Sequence, residues 1–220
     1  MGSNAEERRW FLRKLGEEAA EALQKNGFDA VYLENSSDLL SKVNDLIPTG
    51  SSVGFGGSKT LVESGVIDWL RTEKAGRGIR LIDRDEPGIS AEERVSRMKS
   101  SLTADYFFSS VNGIGLDGSL VLIDGYGNRV APILYGPDHV ILVSGANKIT
   151  PNKETALLRA KEYAAPLNSY RLKRKTPCAQ TGQCYDCRSQ ERICNYTVIL
   201  DRDPYCGRIK LFLLGEELGL

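Results

Sequence analysis

Leu46-Ile47-Pro48-Thr49-Gly50-Ser51-Ser52-Val53-Gly54-Phe55-Gly56-Gly57-Ser58-Lys59-Thr60-Leu61 passes from a helix end, through a short β-rich run, into a glycine turn and a new helix. Pro48 has no N–H and closes the preceding helix, which carries Leu39, Leu40, Val43, Leu46 and Ile47. Residues 52–55 read as a strand and 61–70 as a helix. Parallel strands need crossover connections, so strand, turn and helix in repeated succession encode a mostly parallel sheet covered on both faces.

The same alternation extends in both directions. Upstream, residues 5–26 place Trp10, Leu12, Leu15, Ala19, Ala22 and Leu23 near one helical face, with Gly27 where a C-terminal cap belongs. A strand at 28–33 follows, and Asn35 to Ser37 can cap the next helix. Downstream come a strand at 79–82, a helix at 91–101 and a strand at 106–110. Beyond Val111 the spacing tightens to short strands at 120–123, 129–133 and 140–143, broken by Asp124-Gly125-Tyr126-Gly127-Asn128, as an inserted β-hairpin would be. A helix over 153–165 stops at Pro166, a basic cysteine-bearing tail runs through 170–206, and 208–214 reads as a last strand. The expectation is one α/β domain over 1–220: a mostly parallel sheet covered by helices, with an inserted β-hairpin and a C-terminal cysteine-rich excursion.

Lys plus Arg and Asp plus Glu balance at 29 each, so the overall field gives no reason to expect nucleic acid or an anionic membrane as partner. No apolar run approaches the ~20 residues of a bilayer span, and the polar start is unlike a signal peptide. A cytoplasmic location is expected. The opening MGSNA reads as a cloning scar.

Four groups of residues carry candidate chemistry. In the glycine turn, Gly54, Gly56 and Gly57 let backbone N–H groups approach a phosphate or carboxylate, and Ser58, Lys59 and Thr60 add donors at a helix start. The alternative is a tight turn packing helix on sheet. Gly-Lys-Ser/Thr is missing, as is the third glycine of a dinucleotide fingerprint. Gly113, Gly115 and Gly118 do satisfy G-x-G-x-x-G, but Ser119 to Ile123 continues as strand where that fingerprint requires a helix.

The second group is Asn112, Asp117, Asp124, Asn128 and Arg129. Asp117 and Asp124 are candidate proton carriers, Arg129 offers a bidentate fork to an anion, and the two asparagines can orient a ligand. Asp-Gly and Gly-Asn are equally common turn signals. The third is His139, the only histidine, which beside Val140-Ile141-Leu142-Val143 reads as a packed core residue. The fourth is Cys178-x5-Cys184-x2-Cys187-x6-Cys194. These four thiols can surround one Zn²⁺ or an iron–sulfur cluster, and Arg171, Lys173, Arg174 and Lys175 just before them favour thiolates. Unrelated structural thiols are the alternative, and Cys206 lies outside the set.

The glycine stretch quoted first resembles that of the LUD (lactate-utilisation) family. So do Asn112-x-Ile114-x-x-Asp117-Gly118, Asp124-Gly125-x-Gly127-Asn128-Arg129-Val130-Ala131, Tyr135-Gly136-Pro137 and Asn147-Lys148-Ile149. The tail, with Thr176-Pro177-Cys178, Gly182-x-Cys184-x-Asp186-Cys187 and Arg192-Ile193-Cys194-Asn195, is similar to a cysteine-bearing subgroup of that family. The resemblance implies a fold like the NagB/RpiA/CoA-transferase superfamily, where such a loop commonly binds phosphate or CoA, and a place beside iron–sulfur oxidoreductase subunits. It also favours iron–sulfur over zinc at the cysteines. No counterpart of the CoA-transferase glutamate is found, so that activity does not carry over. The expected function is an accessory or catalytic subunit of organic-acid oxidation that binds an anionic metabolite. The alternatives are a stand-alone enzyme on a phosphorylated or CoA-linked metabolite and a metal-bearing interaction module.

Overall fold

The structure, a computed structural model, describes residues 3–220; Met1 and Gly2, the start of MGSNA, lie outside them. Helix α1 (Ser3–Lys25) ends at Gly27, whose φ of 86° is the left-handed conformation a helix stop requires. Strand β1 (Asp29–Leu33) leads to α2 (Ser36–Leu46), capped by the Asn35 side chain accepting from Ser37 N and Asp38 N. Then come β2 (Ser52–Phe55), α3 (Lys59–Glu63), α4 (Val66–Gly76), β3 (Arg80–Ile82), α5 (Ala91–Ser100) and β4 (Tyr106–Ser109). The hairpin region supplies β5 (Gly113–Gly115), β6 (Leu120–Asp124) and α6 (Val130–Leu134). Strands β7 (His139–Gly145) and β8 (Ile149–Thr150) precede α7 (Lys153–Arg159) and α8 (Ala165–Arg171). Helix α9 (Pro177–Thr181), β9 (Tyr196–Leu200) and β10 (Ile209–Leu214) complete the chain.

Six strands form a parallel sheet in the order β1-β10-β7-β4-β2-β3. Its side chains divide by the two-residue period of a strand. Phe107, Val140, Leu142, Leu211 and Leu213 join Ala19 and Leu23 of α1 in one core, whereas Phe108, Ile141, Val143 and Phe212 join Leu39, Val43, Leu61 and Leu70 in another. Burial on both faces explains why these strands read as continuous apolar runs. A second sheet, β8-β5-β6-β9, lies beside it. There Leu120 and Leu122 reach the α1 core, and Val121 and Ile123 pack on Ala156, Ala160 and Ala165. No helix among the described residues is long and apolar enough to cross a membrane.

Several local expectations are corrected. Residues 129–133 form α6 rather than a strand, because the Asp124 carboxylate accepts the N–H groups of Arg129 (2.8 Å) and Val130 (3.1 Å) and so caps a helix start. The helix expected at 61–70 is two helices, separated at Gly65 with φ 76°. Pro166 does not end its helix: a π-helical turn, Ala160–Ala164, precedes it, and it stands in the first turn of α8, where no N–H is needed. The tail holds α9 and β9, which pairs antiparallel with β6. His139 is exposed at the first position of β7, stacked on Tyr106 with ring centroids 4.7 Å apart.

Candidate functional site

Strands β2, β4, β7 and β10 all end on one edge, and the glycine loop starts there. Gly54 is a packing glycine: a Cβ on it would stand 2.8 Å from Ser101 Cβ. The Gly56 N–H donates to Phe108 O at 2.8 Å, which ties the loop to the strand end. Ser58 caps α3 by accepting from Leu61 N at 3.2 Å. Lys59 pairs with Glu63 at 3.0 Å. Thr60, buried, accepts from Lys148 Nζ at 2.7 Å. The side chains of Ser58, Lys59 and Thr60 and the N–H of Gly56 thus have protein partners, while no such partner is seen for the N–H groups of Gly57, Ser58, Lys59 and Thr60 among the described residues.

Beside the loop lies a cleft of about 620 Å³ lined by Lys59, Glu63, Asn147, Arg159, Tyr163 and Gly219 among others. Lys148 adjoins it from beneath, with Nζ donating to Thr60 Oγ1, to Ser110 Oγ at 3.0 Å and to Val111 O at 3.1 Å. Burial, reinforced by the Arg159 and Arg129 charges, lowers its pKa to about 7. Arg159 donates to Asn112 O at 2.7 Å and stands 5.1 Å over the Tyr163 ring. It also donates to Leu220 O at 3.3 Å, and no Asp or Glu side chain among the described residues pairs with it.

Arg129 does not line this cleft but lies against the glycine loop, where a Cβ on Gly56 would stand 2.8 Å from its Cγ. Its guanidinium donates to Ile123 O and lies 3.4 Å from Asn112 Oδ1, which also accepts from Ile123 N at 2.9 Å. Asn112 thus joins Arg129 to Arg159. Asn128 is partly buried in the turn before α6. The two candidate acids have structural partners. Asp124 accepts from Gly125 N, Arg129 N and Val130 N; Asp117 accepts from Ser119 N, Ser119 Oγ and Lys153 N. Burial opposes ionisation of Asp117, and the bonds from Ser119 and Lys153 outweigh it, holding its carboxyl below the usual range. Neither acid lines the cleft.

In the tail, Arg192 donates to Cys187 O (2.6 Å), Cys194 O (3.2 Å) and Asp186 Oδ1 (2.8 Å). Burial pushes the Cys194 thiol up; Arg192 opposes that, and Cys184 and Cys187 add to it. Cys184 and Cys194 line one small cavity, while Cys178 Sγ lies 3.3 Å from Thr176 Oγ1. All are free thiols, and among the described residues no three His, Cys, Asp or Glu side chains are arranged to hold a metal ion. A four-thiolate centre does not fit this arrangement unless the tail rearranges.

Sequence reasoning assigned no role to Lys148, Arg159, Ser109 or Arg84. Lys148 stood in a quoted motif, Asn147-Lys148-Ile149, directly after an expected strand. That position was the available signal, since residues just past parallel strand ends are where such sheets bind ligands. Arg159 and Arg84 carried none.

Residues 16–214 match the family model described as LUD domain. No curated protein matches the chain. Among solved structures, the crystal structure of a DUF162 family protein from Deinococcus radiodurans is similar, with a TM-score of 0.50 and 12% sequence identity. The alignment covers 92% of this chain and 97% of that one, a likeness of fold.

Proposed function

Because the chain belongs to the LUD domain family, we propose that it is a lactate-utilisation-type protein, a subunit in organic-acid oxidation whose edge cleft binds a small anionic metabolite through a carboxylate. The observation that carries this reading is Arg159, a guanidinium lining a cleft of about 620 Å³ without an Asp or Glu partner among the described residues. A planar fork in that setting favours a carboxylate over a point contact. Lys59, paired with Glu63, lines the same cleft, and Asn147 offers a polar group to orient the ligand. Lys148, near neutral pKa beside the cleft, is the group suited to hold or release a proton there. Asp117 and Asp124 act as supports of the surrounding turns rather than as the proton carriers.

Titration calorimetry with L-lactate and related small carboxylates tests this. Arg159→Gln should weaken binding about tenfold or more, as loss of a hydrogen bond to a charged group would, ~1.5–3 kcal/mol. Equal affinity in parent and variant overturns the reading. The subunit role is checked separately by co-purification with an iron–sulfur oxidoreductase from the native source.

A further inference from the structure

Lys148 is a buried amine without a counter-charge. Its three partners, Thr60 Oγ1, Ser110 Oγ and Val111 O, are uncharged, and no Asp or Glu among the described residues forms an ion pair with it. The neighbouring acid, Glu63, is paired with Lys59. Burial together with the Arg159 and Arg129 charges disfavours the ammonium. Desolvation and a nearby cation are the two means by which a lysine is kept neutral and nucleophilic.

A thin strap separates this amine from the cleft. Gly219 lines the cleft, and a Cβ on it would stand 3.0 Å from Lys148 Nζ. Leu218 is fixed, with its side chain buried in the core and its N–H donating to Asn147 Oδ1 at 3.2 Å. Gly219 and Leu220 are held differently. No backbone-to-backbone hydrogen bond among the described residues reaches them. Their bonds go to two cleft side chains: Gly219 N donates to Glu63 Oε2 at 2.6 Å, and Leu220 O accepts from Arg159 at 3.3 Å. A carboxylate taking the Arg159 fork replaces a long bond to a neutral carbonyl with a charge-assisted pair, and so loosens the strap over Lys148.

The two cations also lie within reach of one small molecule. Lys148 donates to Val111 O at 3.1 Å and Arg159 to Asn112 O at 2.7 Å, carbonyls of consecutive residues. A compound whose carboxylate engages Arg159 can thus present the next carbon to Nζ, and an amine reacts there if that carbon is a ketone.

We propose that Lys148 Nζ condenses with the keto carbon of a 2-oxo acid whose carboxylate displaces Leu220 from Arg159. The inference rests on the carboxylate reading of the cleft and deepens it: the ligand is the oxidised counterpart of a 2-hydroxy acid, held by a reversible covalent bond. The nitrogen lone pair forms the N–C bond as the carbonyl π pair moves to oxygen. Both amine protons pass to that oxygen, with the Thr60 and Ser110 hydroxyls beside Nζ as carriers, and it leaves as water to give C=N. No electron changes hands, so no oxidant is required.

The test is incubation of the full chain with pyruvate and sodium cyanoborohydride, which reduces C=N to a stable amine, followed by peptide mapping. Lys148 should be labelled about tenfold or more faster than the exposed lysines. Acetaldehyde, with a carbonyl and no carboxylate, should lose about tenfold of that preference, as loss of a hydrogen bond to a charged group would. Lys148→Met should lose the Lys148 adduct alone; the hydroxyls it leaves behind still bond each other, with Ser110 Oγ donating to Thr60 Oγ1 at 3.2 Å. Mapping the parent decides the question even if that variant misfolds. Lys148 unlabelled, or labelled no faster than the exposed lysines, overturns the proposal, as does an equal preference with acetaldehyde. L-lactate has no carbonyl and reports on the cleft alone. Lactate binding without a Lys148 adduct overturns the imine and spares the carboxylate reading, and a Lys148 adduct without lactate binding does the reverse.

Discussion

The glycine loop and the cysteine tail both attract attention by composition, yet they are built in opposite ways. The loop begins at the end of β2 between two other parallel strands, and it is fixed to its surroundings at three points: Gly56 by Phe108, Ser58 by Leu61, Thr60 by Lys148. The tail has no regular structure between α9 and β9, and one side chain, Arg192, gathers Asp186, Cys187 and Cys194. A site at strand ends inherits its geometry from the sheet, whereas a set of cysteine spacings defines a site only once something closes it.

The largest test of that contrast is metal loading of the tail. Binding by Cys178, Cys184, Cys187 and Cys194 would supply ordering free energy on the order of 10 kcal/mol. Iron with acid-labile sulfide after anaerobic purification would show that the tail rearranges to close around a cluster, and zinc alone would identify a structural site. Metal-free protein with four titratable thiols and an ordered tail would show that Arg192 suffices. Next in size, Phe108→Ala removes a wholly buried ring beneath the loop and should cost ~3–5 kcal/mol in denaturant unfolding. Ligand binding should weaken with it, since the loop is anchored to that residue's carbonyl. Smallest is Arg192→Ala, expected to cost ~1–3 kcal/mol through charged hydrogen bonds, mostly as local opening. Faster alkylation of Cys187 and Cys194 with unchanged lactate affinity would keep the two regions distinct; a parallel loss of affinity would join them.

What could be read from sequence follows the same division. The strand Ser52–Phe55 was legible to the residue because Pro48 and the glycines bracket it. The double-faced cores were legible because the strands are apolar throughout. The helix at Val130–Leu134 was not, since its start depends on the Asp124 side chain turning onto two N–H groups, which leaves no trace in hydropathy. At the site, Lys59 and Arg129 were found beside glycines and strand ends. Arg84 and Arg159 were not, because they reach the same edge only through the packing of β3 and α7, and nothing local marks them.

Lys148 carries a further consequence. Its folded pKa of about 7 lies below its ordinary value of 10.5, so between those limits the unfolded chain holds one proton more than the folded one. Stability therefore rises with pH across that window, and the penalty is complete below it. The same field governs exchange with the medium. An anion seated at Arg159 cancels part of the positive potential at Lys148 and raises its affinity for a proton. Around neutrality the cleft would take up an anion and a proton together, so that filling it leaves a weakly buffered solution slightly more alkaline.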